Sequence, residues 1–402
     1  MSREQQLQAV LQEFVDKGEL AGAVALVNRD GRTECATAGW GDIDTGEPIE
    51  RDIIFRIASM SKPITSVAAL MLVDEGRIAL DDPIARVAPE FERMCVLRAP
   101  DAALDDTDEA ERQITWDDLL THRGGLTYGE LNRTPIRRAY REALGGDIDT
   151  DVAPDEWIRR LAALPLIAQP GSVWSYSAST DLLGLLIARI EGEPLGDVLA
   201  RRIFHPLGMK DTGFLVPREN RHRRASAYGF DEDRRLMKRS TWGGAVVEER
   251  PDDMAYVSGG VGLWSTVDDY LKFARIFLGD GEVNGVRLLR PETLARMMTN
   301  QLTEAQRANS VFLGQRPFEA GRGFGLGVAV VLEPSDADMA RRGSEGTVSW
   351  PGAYGGWWLA DPREKLVFVF LAHNMADLSQ MARGVGVGVW SAIERTLRVA
   401  LG

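Results

Sequence analysis

From Ile64 to Val73 the chain offers a helix with almost no face to give to water. Ile64, Val67, Ala68, Ala69, Leu70, Met71, Leu72 and Val73 are interrupted only by Thr65 and Ser66, and Asp74, Glu75 and Gly76 close the run. A helix apolar nearly all round belongs inside a core, with other elements packed on every side. Pro63 suits its first turn, where a missing N–H is no loss, and Gly76 suits the position just past its end. A chain of 402 residues is long enough to enclose such a helix and to form more than one domain.

The mouth of this helix carries chemistry. Ser59 and Lys62, in Phe55-Arg-Ile-Ala-Ser-Met-Ser-Lys-Pro, stand three residues apart and so share a helix face. Only six lysines occur in the chain, and Lys62 alone has a serine three positions before it. A serine hydroxyl is a weak nucleophile until a base lies within hydrogen-bond reach, and here an amine is built into the same turn. The helix N-terminus adds free N–H groups and partial positive charge, which favour a neutral amine and can hold an oxyanion. The plain alternative is a helix start with a surface lysine.

Composition narrows the partners. The formal net charge is −13, which disfavours nucleic acid or an anionic membrane. Residues 1–15 have the pattern of an amphipathic helix, with no secretory signal and no apolar run of membrane-spanning length, so a cytoplasmic protein is expected. Cys35 and Cys95 are too few for a disulfide framework and are expected to be free core thiols. The four histidines, His122, His205, His222 and His373, form no metal-binding motif, so neither metal nor other cofactor is expected. Oligomeric state is not legible.

Strand patterns cluster at the two ends of the chain. Ala23–Asn28 and Thr33–Trp40 flank a tight turn at Arg29-Asp-Gly31. Phe324–Leu332, Val348–Leu359 and Leu366–Ala372 give three further strands, and a final helix is expected over Leu378–Leu397. Between them, Ala153–Leu164 and Thr180–Glu191 have helical period, while Asp101–Arg112 and Glu219–Arg239 are charged and expected as surface loops. The fold class is α+β: an antiparallel sheet from residues 1–82 and 255–402, packed by N- and C-terminal helices, with a mostly helical insert over 83–254. The cleft between the two parts is the expected site.

Two more motifs now fall into order. Trp174-Ser-Tyr-Ser-Ala-Ser179 precedes the helix of Thr180, and Val348-Ser-Trp-Pro-Gly-Ala-Tyr-Gly-Gly-Trp357 lies in the C-terminal strands. Ser-x-x-Lys, then Tyr-Ser-x, then a Gly-rich strand resembles the class C β-lactamase and penicillin-binding-protein superfamily, and within it the family VIII carboxylesterases. Asp117-Leu-Leu-Thr-His-Arg-Gly-Gly-Leu126, Phe204-His-Pro-Leu-Gly-Met209 and Ser258-Gly-Gly-Val-Gly-Leu-Trp-Ser-Thr266 agree with it, in the right order over nearly the whole chain. The resemblance implies a β-lactamase/transpeptidase-like fold. It implies Ser59 as the acylated nucleophile, Lys62 as base or electrostatic partner, Tyr176 as proton shuttle, and the N–H groups of Ser59 and Ala353 as oxyanion hole. A free tyrosine and a free lysine both titrate near pH 10. Brought together, either can serve as the base, and the sequence does not choose between them.

The departures from that pattern bear on substrate. Ala178 stands where β-lactam-acting relatives have Asn, and Trp350 where they have the Lys of Lys-Thr-Gly. They supply neither the amide nor the ammonium that would hold a β-lactam's side-chain amide and carboxylate, so Trp350, Ala178 and Gly352 are expected to line a site for an uncharged small-molecule ester. The function expected is a serine carboxylesterase acting on short-chain or bulky uncharged esters. The alternatives are an acyltransferase, a weak β-lactamase or D-amino-acid amidase, and a non-catalytic binding module. No Gly-x-Ser-x-Gly occurs, which removes the nucleophile elbow of α/β-hydrolases and leaves His122 and His373 as structural residues.

Overall fold

The structure is a computed structural model that describes residues 1–131, 135–146, 150–239, 241–242, 245–246, 256–312, 315–376, 380–381 and 383–402. Four helices pack on the sheet and beside it: α1 (Arg3–Asp16), α2 (Ser61–Asp74), α3 (Ser179–Glu191) and α4 (Gly388–Leu401). The strands β1 (Gly22–Arg29), β2 (Arg32–Asp42) and β3 (Glu47–Pro48) come from the N-terminal end. The strands β4 (Arg322–Phe324), β5 (Ala329–Val331), β6 (Val348–Gly352), β7 (Gly356–Asp361) and β8 (Leu366–Ala372) come from the C-terminal end. They make one eight-stranded sheet in the order β4-β5-β6-β7-β8-β1-β2-β3, antiparallel at every step. The two ends of the chain meet at β8 and β1, where Ala23 faces Ala372 across the ladder.

Sheet alternation explains the two-sided core. Along β8, Leu366, Phe368, Phe370 and Ala372 point to α1 and α4, where they pack with Leu7, Leu11, Phe14, Ile393 and Leu397. Val367, Val369 and Leu371 point the other way, into a larger core containing Ile64, Val67 and Leu70 of α2. That core continues into the helical region through Leu119, Trp157 and Leu182. The helix with no polar face is therefore enclosed as its pattern demands, with buried residues from Ser61 to Leu72. Gly76 turns the chain out of it at φ 71°.

Four expectations need correction. Phe324–Leu332 is a hairpin, not a strand. Gly327 adopts φ 91°, and a Cβ there would lie 2.1 Å from Ser66 Oγ on α2. Val348–Leu359 is also a hairpin, turning at Ala353–Gly355, with Gly355 at φ 87° donating its N–H to the Gly352 carbonyl at 3.1 Å. The last helix starts at Gly388, after Gly384 and Gly386 turn the chain at φ 72° and 77°; Leu378 is outside the described residues. The stretches expected as surface loops hold short strands: Thr107–Glu109 in the first, paired with Cys95–Leu97, and a hairpin of Tyr228–Phe230 with Leu236–Lys238 in the second. The expected domain boundary at 254 also lies outside the described residues. Among the described residues no helix is long and apolar enough to cross a membrane.

Candidate active site

Ser59 sits one turn earlier than the sequence implies. It is the middle residue of a 3-10 turn, Ala58–Met60, and α2 begins only at Ser61. Ala58 has φ 46°, an uncommon conformation for alanine that costs on the order of 1–3 kcal/mol. Neighbouring segments hold it there. The Ile57 N–H donates to the Leu263 carbonyl at 2.9 Å, and the Leu263 N–H donates to Ser61 Oγ at 3.1 Å. The Tyr270 hydroxyl donates to the Met60 carbonyl at 2.9 Å. From the sheet, Gly352 comes so close that a Cβ on it would lie 2.6 Å from the Ile57 carbonyl oxygen. The turn thus presents Ser59, 8 % exposed, in a fixed place.

Tyr176 is brought to it from the helical region. The Ser175 N–H donates to the His122 carbonyl at 2.9 Å, fixing the strand-like segment before α3. The Tyr176 ring is then wedged among His122, Tyr128, Phe312 and Trp350, with ring centres 5.0 to 5.5 Å away. Its hydroxyl donates to Ser59 Oγ at 2.7 Å. The Lys62 amine lies 4.6 Å from the centre of the Tyr176 ring and donates to Tyr128 Oη at 3.1 Å and to the Gly260 carbonyl at 3.0 Å. From the sequence, amine and phenol converge on one alcohol oxygen. In the structure the phenol takes that place, and the amine sits one step behind it.

Three residues of this arrangement were not singled out in the sequence: Tyr128, Asp181 and Gly260. Tyr128 Oη donates to Asp181 Oδ2 at 2.6 Å. Asp181, fully buried in the first turn of α3, also accepts from Ser258 Oγ and from the Gly260 N–H at 3.3 Å. Burial first, and the Asp181 charge second, push the Tyr128 phenol well above its usual range, so it remains protonated. A signal for Tyr128 was present: it follows the quoted run His122-Arg-Gly-Gly-Leu126 by two residues. The Ser258-Gly-Gly motif likewise finds its reason here. A Cβ on Gly260 would lie 2.7 Å from Asp181 Oδ2 and 2.8 Å from Tyr128 Oη.

The other expected residues divide. Trp350, on β6, is buried and packs against Tyr176 and Phe324. Ala353 opens the β6–β7 turn next to Gly352. Gly352 has a packing reason, the close approach to Ile57, beside any contact with substrate. Ala178 is 3 % exposed and its N–H donates to the Thr127 carbonyl at 3.3 Å, so it offers the site a missing amide more than a surface. Trp174 and Trp350 pack at Tyr176. Trp358 packs tilted against Tyr270 and Phe277, while Trp357 meets Trp390 and Trp264 meets His373 edge-on.

His373 has its Nδ1 2.9 Å from the Ala225 carbonyl oxygen, and burial holds it down to about 4. His122 does not stay apart from the site. Its ring backs Tyr176 and its Nδ1 meets Ser177 Oγ at 3.1 Å. Burial, then the Lys62 charge, holds His122 well below its usual range, so it stays neutral. Cys35 is partly buried, with its thiol pushed up to about 11 by burial, whereas Cys95 is exposed, against the expectation of two core thiols.

A buried phenol on a serine hydroxyl, backed by an amine, can move a proton off that hydroxyl and pass it on. Known proteins resemble the chain over most of its length. The Beta-lactamase family model matches residues 7–384. Protein Rv1367c of Mycobacterium tuberculosis is 45% identical over 383 residues, covering 95% of this chain and 92% of its own. Esterase EstB of Burkholderia gladioli is 34% identical over 367 residues, covering 88% and 86%. The solved structure of EstCE1, a hydrolase with promiscuous acyltransferase activity, superposes with a TM-score of 0.77 at 27% identity and covers 98% of each chain. The order of motifs, the sheet closed by both chain ends and these matches together show that the chain belongs to the Beta-lactamase family of serine hydrolases, on its family VIII carboxylesterase branch.

Proposed function

We propose that the protein is a carboxylesterase that hydrolyses short-chain or bulky uncharged esters through an acyl-enzyme on Ser59. The observation that carries this reading is the 2.7 Å hydrogen bond from the Tyr176 hydroxyl to Ser59 Oγ, with the Lys62 amine against the Tyr176 ring. Ser59 Oγ attacks the carbonyl carbon, a new C–O bond forms, and the ester C–O bond breaks. The Ser59 proton passes by way of Tyr176 and Lys62 to the departing oxygen, which leaves as the alcohol. Water then repeats the steps in reverse order and restores Ser59. The N–H groups of Ser59 and Ala353 hold the oxyanion. Ser59 and Lys62 come from the sheet part of the chain, residues 1–82 with 255–402, and Tyr176 from the insert, residues 83–254, so the cleft lies between them.

The substrate class rests on what is missing. Trp350 and Ala178 bring no cation and no amide to the site, and the aromatic wall around Tyr176 suits an uncharged acyl or alcohol group. p-Nitrophenyl butyrate should give a burst of p-nitrophenol and a mass increase of one butyryl group on Ser59. Nitrocefin turnover should be at least about a hundredfold slower. Equal rates on the two substrates, or acyl mass on another residue, would overturn the reading.

A second reading, acyl transfer to an alcohol other than water, is supported by EstCE1, which is named for promiscuous acyltransferase activity. Added alcohol that raises the rate of p-nitrophenol release after the burst, with ester formed in proportion, would favour transfer over hydrolysis.

A further inference from the structure

Lys62 is 1 % exposed and Asp181 fully buried, and a buried amine and a buried carboxylate are each costly without a partner of opposite charge. The two are joined twice. In one link, the Lys62 amine donates to Tyr128 Oη at 3.1 Å, and Tyr128 spends its single proton on Asp181 Oδ2 at 2.6 Å. That commitment turns the phenol's lone pairs toward the amine. In the other, the amine donates to the Gly260 carbonyl at 3.0 Å while the Gly260 N–H donates to Asp181 Oδ1 at 3.3 Å. Both acceptors of the amine are therefore tied to one carboxylate. Ser258 Oγ and, at 3.5 Å, the Tyr256 hydroxyl hold the same Oδ1 from behind.

We propose that Asp181 is a positioning residue of the acyl-transfer site, which fixes the place and the charge of the Lys62 amine through the Tyr128 hydroxyl and the Gly260 peptide. This rests on Ser59 being the nucleophile. Its part resembles that of the buried aspartate behind a catalytic histidine, which orients a base and stabilises the cation formed when the base takes a proton. The proton released by Ser59 ends on the departing alcohol. Tyr128 keeps its own proton, held there by burial and by the Asp181 charge, and Asp181 takes none. Among the described residues, the titratable groups that face Lys62 are Tyr128, Tyr176 and His122, with Asp181 behind Tyr128 and Tyr256 behind Asp181.

The test is the pH dependence of Ser59 modification by a p-nitrophenyl phosphonate, read by intact mass, in the wild type, Asp181→Asn, Tyr128→Phe and the double variant. A carboxylate stabilises the ammonium form. With the carboxylate gone, the limb of the pH profile should therefore move to lower pH. The rate should fall about ten- to a hundredfold with reagent affinity little changed. Tyr128→Phe cuts the link from the other end, leaves Asp181 its bonds to Ser258 and Gly260, and should move the limb the same way. The double variant should be little worse than the worse single, because the residues act as one unit. Tyr128→Phe carries the test alone if Asp181→Asn does not fold. A folded variant with an unmoved limb would overturn the role of Asp181 while leaving the esterase reading intact. A wild type that is not modified on Ser59 would overturn both.

Discussion

Ala58 holds a left-handed backbone directly before Ser59, and its surroundings show why it can. Hydrogen bonds on Ile57, Ser61 and Met60 and the bare face of Gly352 leave the turn no relaxed alternative. At this scale the first expectations concern single atoms. Ser59→Ala should lower p-nitrophenyl butyrate turnover at least about a thousandfold, and Lys62→Ala by a similar factor, because nucleophile and base act together. Tyr176→Phe keeps the packed ring and deletes the hydroxyl. A near-normal rate in that variant would remove the proton shuttle from the mechanism. The buried imidazoles make a separate prediction on stability. His373 is held down to about 4 when folded, chiefly by burial, and His122 is lowered for the same reason. The unfolded chain takes up those protons near pH 6.5. Their contribution is therefore whole above that pH and is lost as the pH falls, for His373 until about pH 4. The melting temperature should drop between pH 6.5 and 4, and His373→Gln, less stable at pH 7, should show a shallower drop. His373 alone accounts for roughly 3 kcal/mol of the difference across that range.

Among the elements, the hairpins and turns matter more than the long strands. Glycine makes the close approaches possible: Gly352 against the Ser59 turn, Gly327 against α2, and Gly260 against the Asp181–Tyr128 pair. Adding one methyl at Gly352 pushes the β6–β7 hairpin off Ile57. Gly352→Ala should cost about 1–3 kcal/mol in unfolding free energy and lower the rate of Ser59 acylation more than it raises KM. Unchanged acylation in a folded Gly352→Ala protein would show that the hairpin does not position the site. The hairpins also account for the misplaced strand boundaries. An apolar run such as Phe324–Leu332 has the composition of one strand, and whether Gly-Leu-Gly inside it continues or turns depends on what lies opposite. Here Ser66 and the Met297 carbonyl lie opposite, and the chain must turn to clear them.

For the molecule as a whole, the sheet separates two cores. The layer of α1 and α4 lies on the face away from α2 and Ser59, and its cluster shares no residue with the one that holds the site. Leu11→Ala and Ile393→Ala should each cost about 2–5 kcal/mol. Turnover per folded molecule should stay within about twofold of wild type in both, because nothing in that layer reaches the site. Loss of specific activity at full folding would show that the outer helices do set the active-site geometry. Because the chain ends pair at β8 and β1, removing α4 should expose Phe368 and Phe370 and unfold the sheet as a unit, not fray one end.

The sequence by itself determined the elements whose pattern is local. The apolar helix after Ser59 fell where its period put it, as did the hairpin at Asp30-Gly31, the helix of Tyr176's segment and the β8 run buried on both faces. The motif order was enough to name the family, because side-chain type and spacing are properties of the chain alone. Tertiary structure decided the rest. Which atoms meet Ser59 Oγ, why the amine stands behind the phenol, and how Tyr128, Asp181 and Gly260 close around it all depend on contacts between residues up to about two hundred positions apart. No periodicity records such contacts. A buried carboxylate such as Asp181 looks in the sequence like an ordinary first-turn acid of a helix. Only the packing that excludes water from it, and leaves it the Lys62 amine to balance, makes it part of the site.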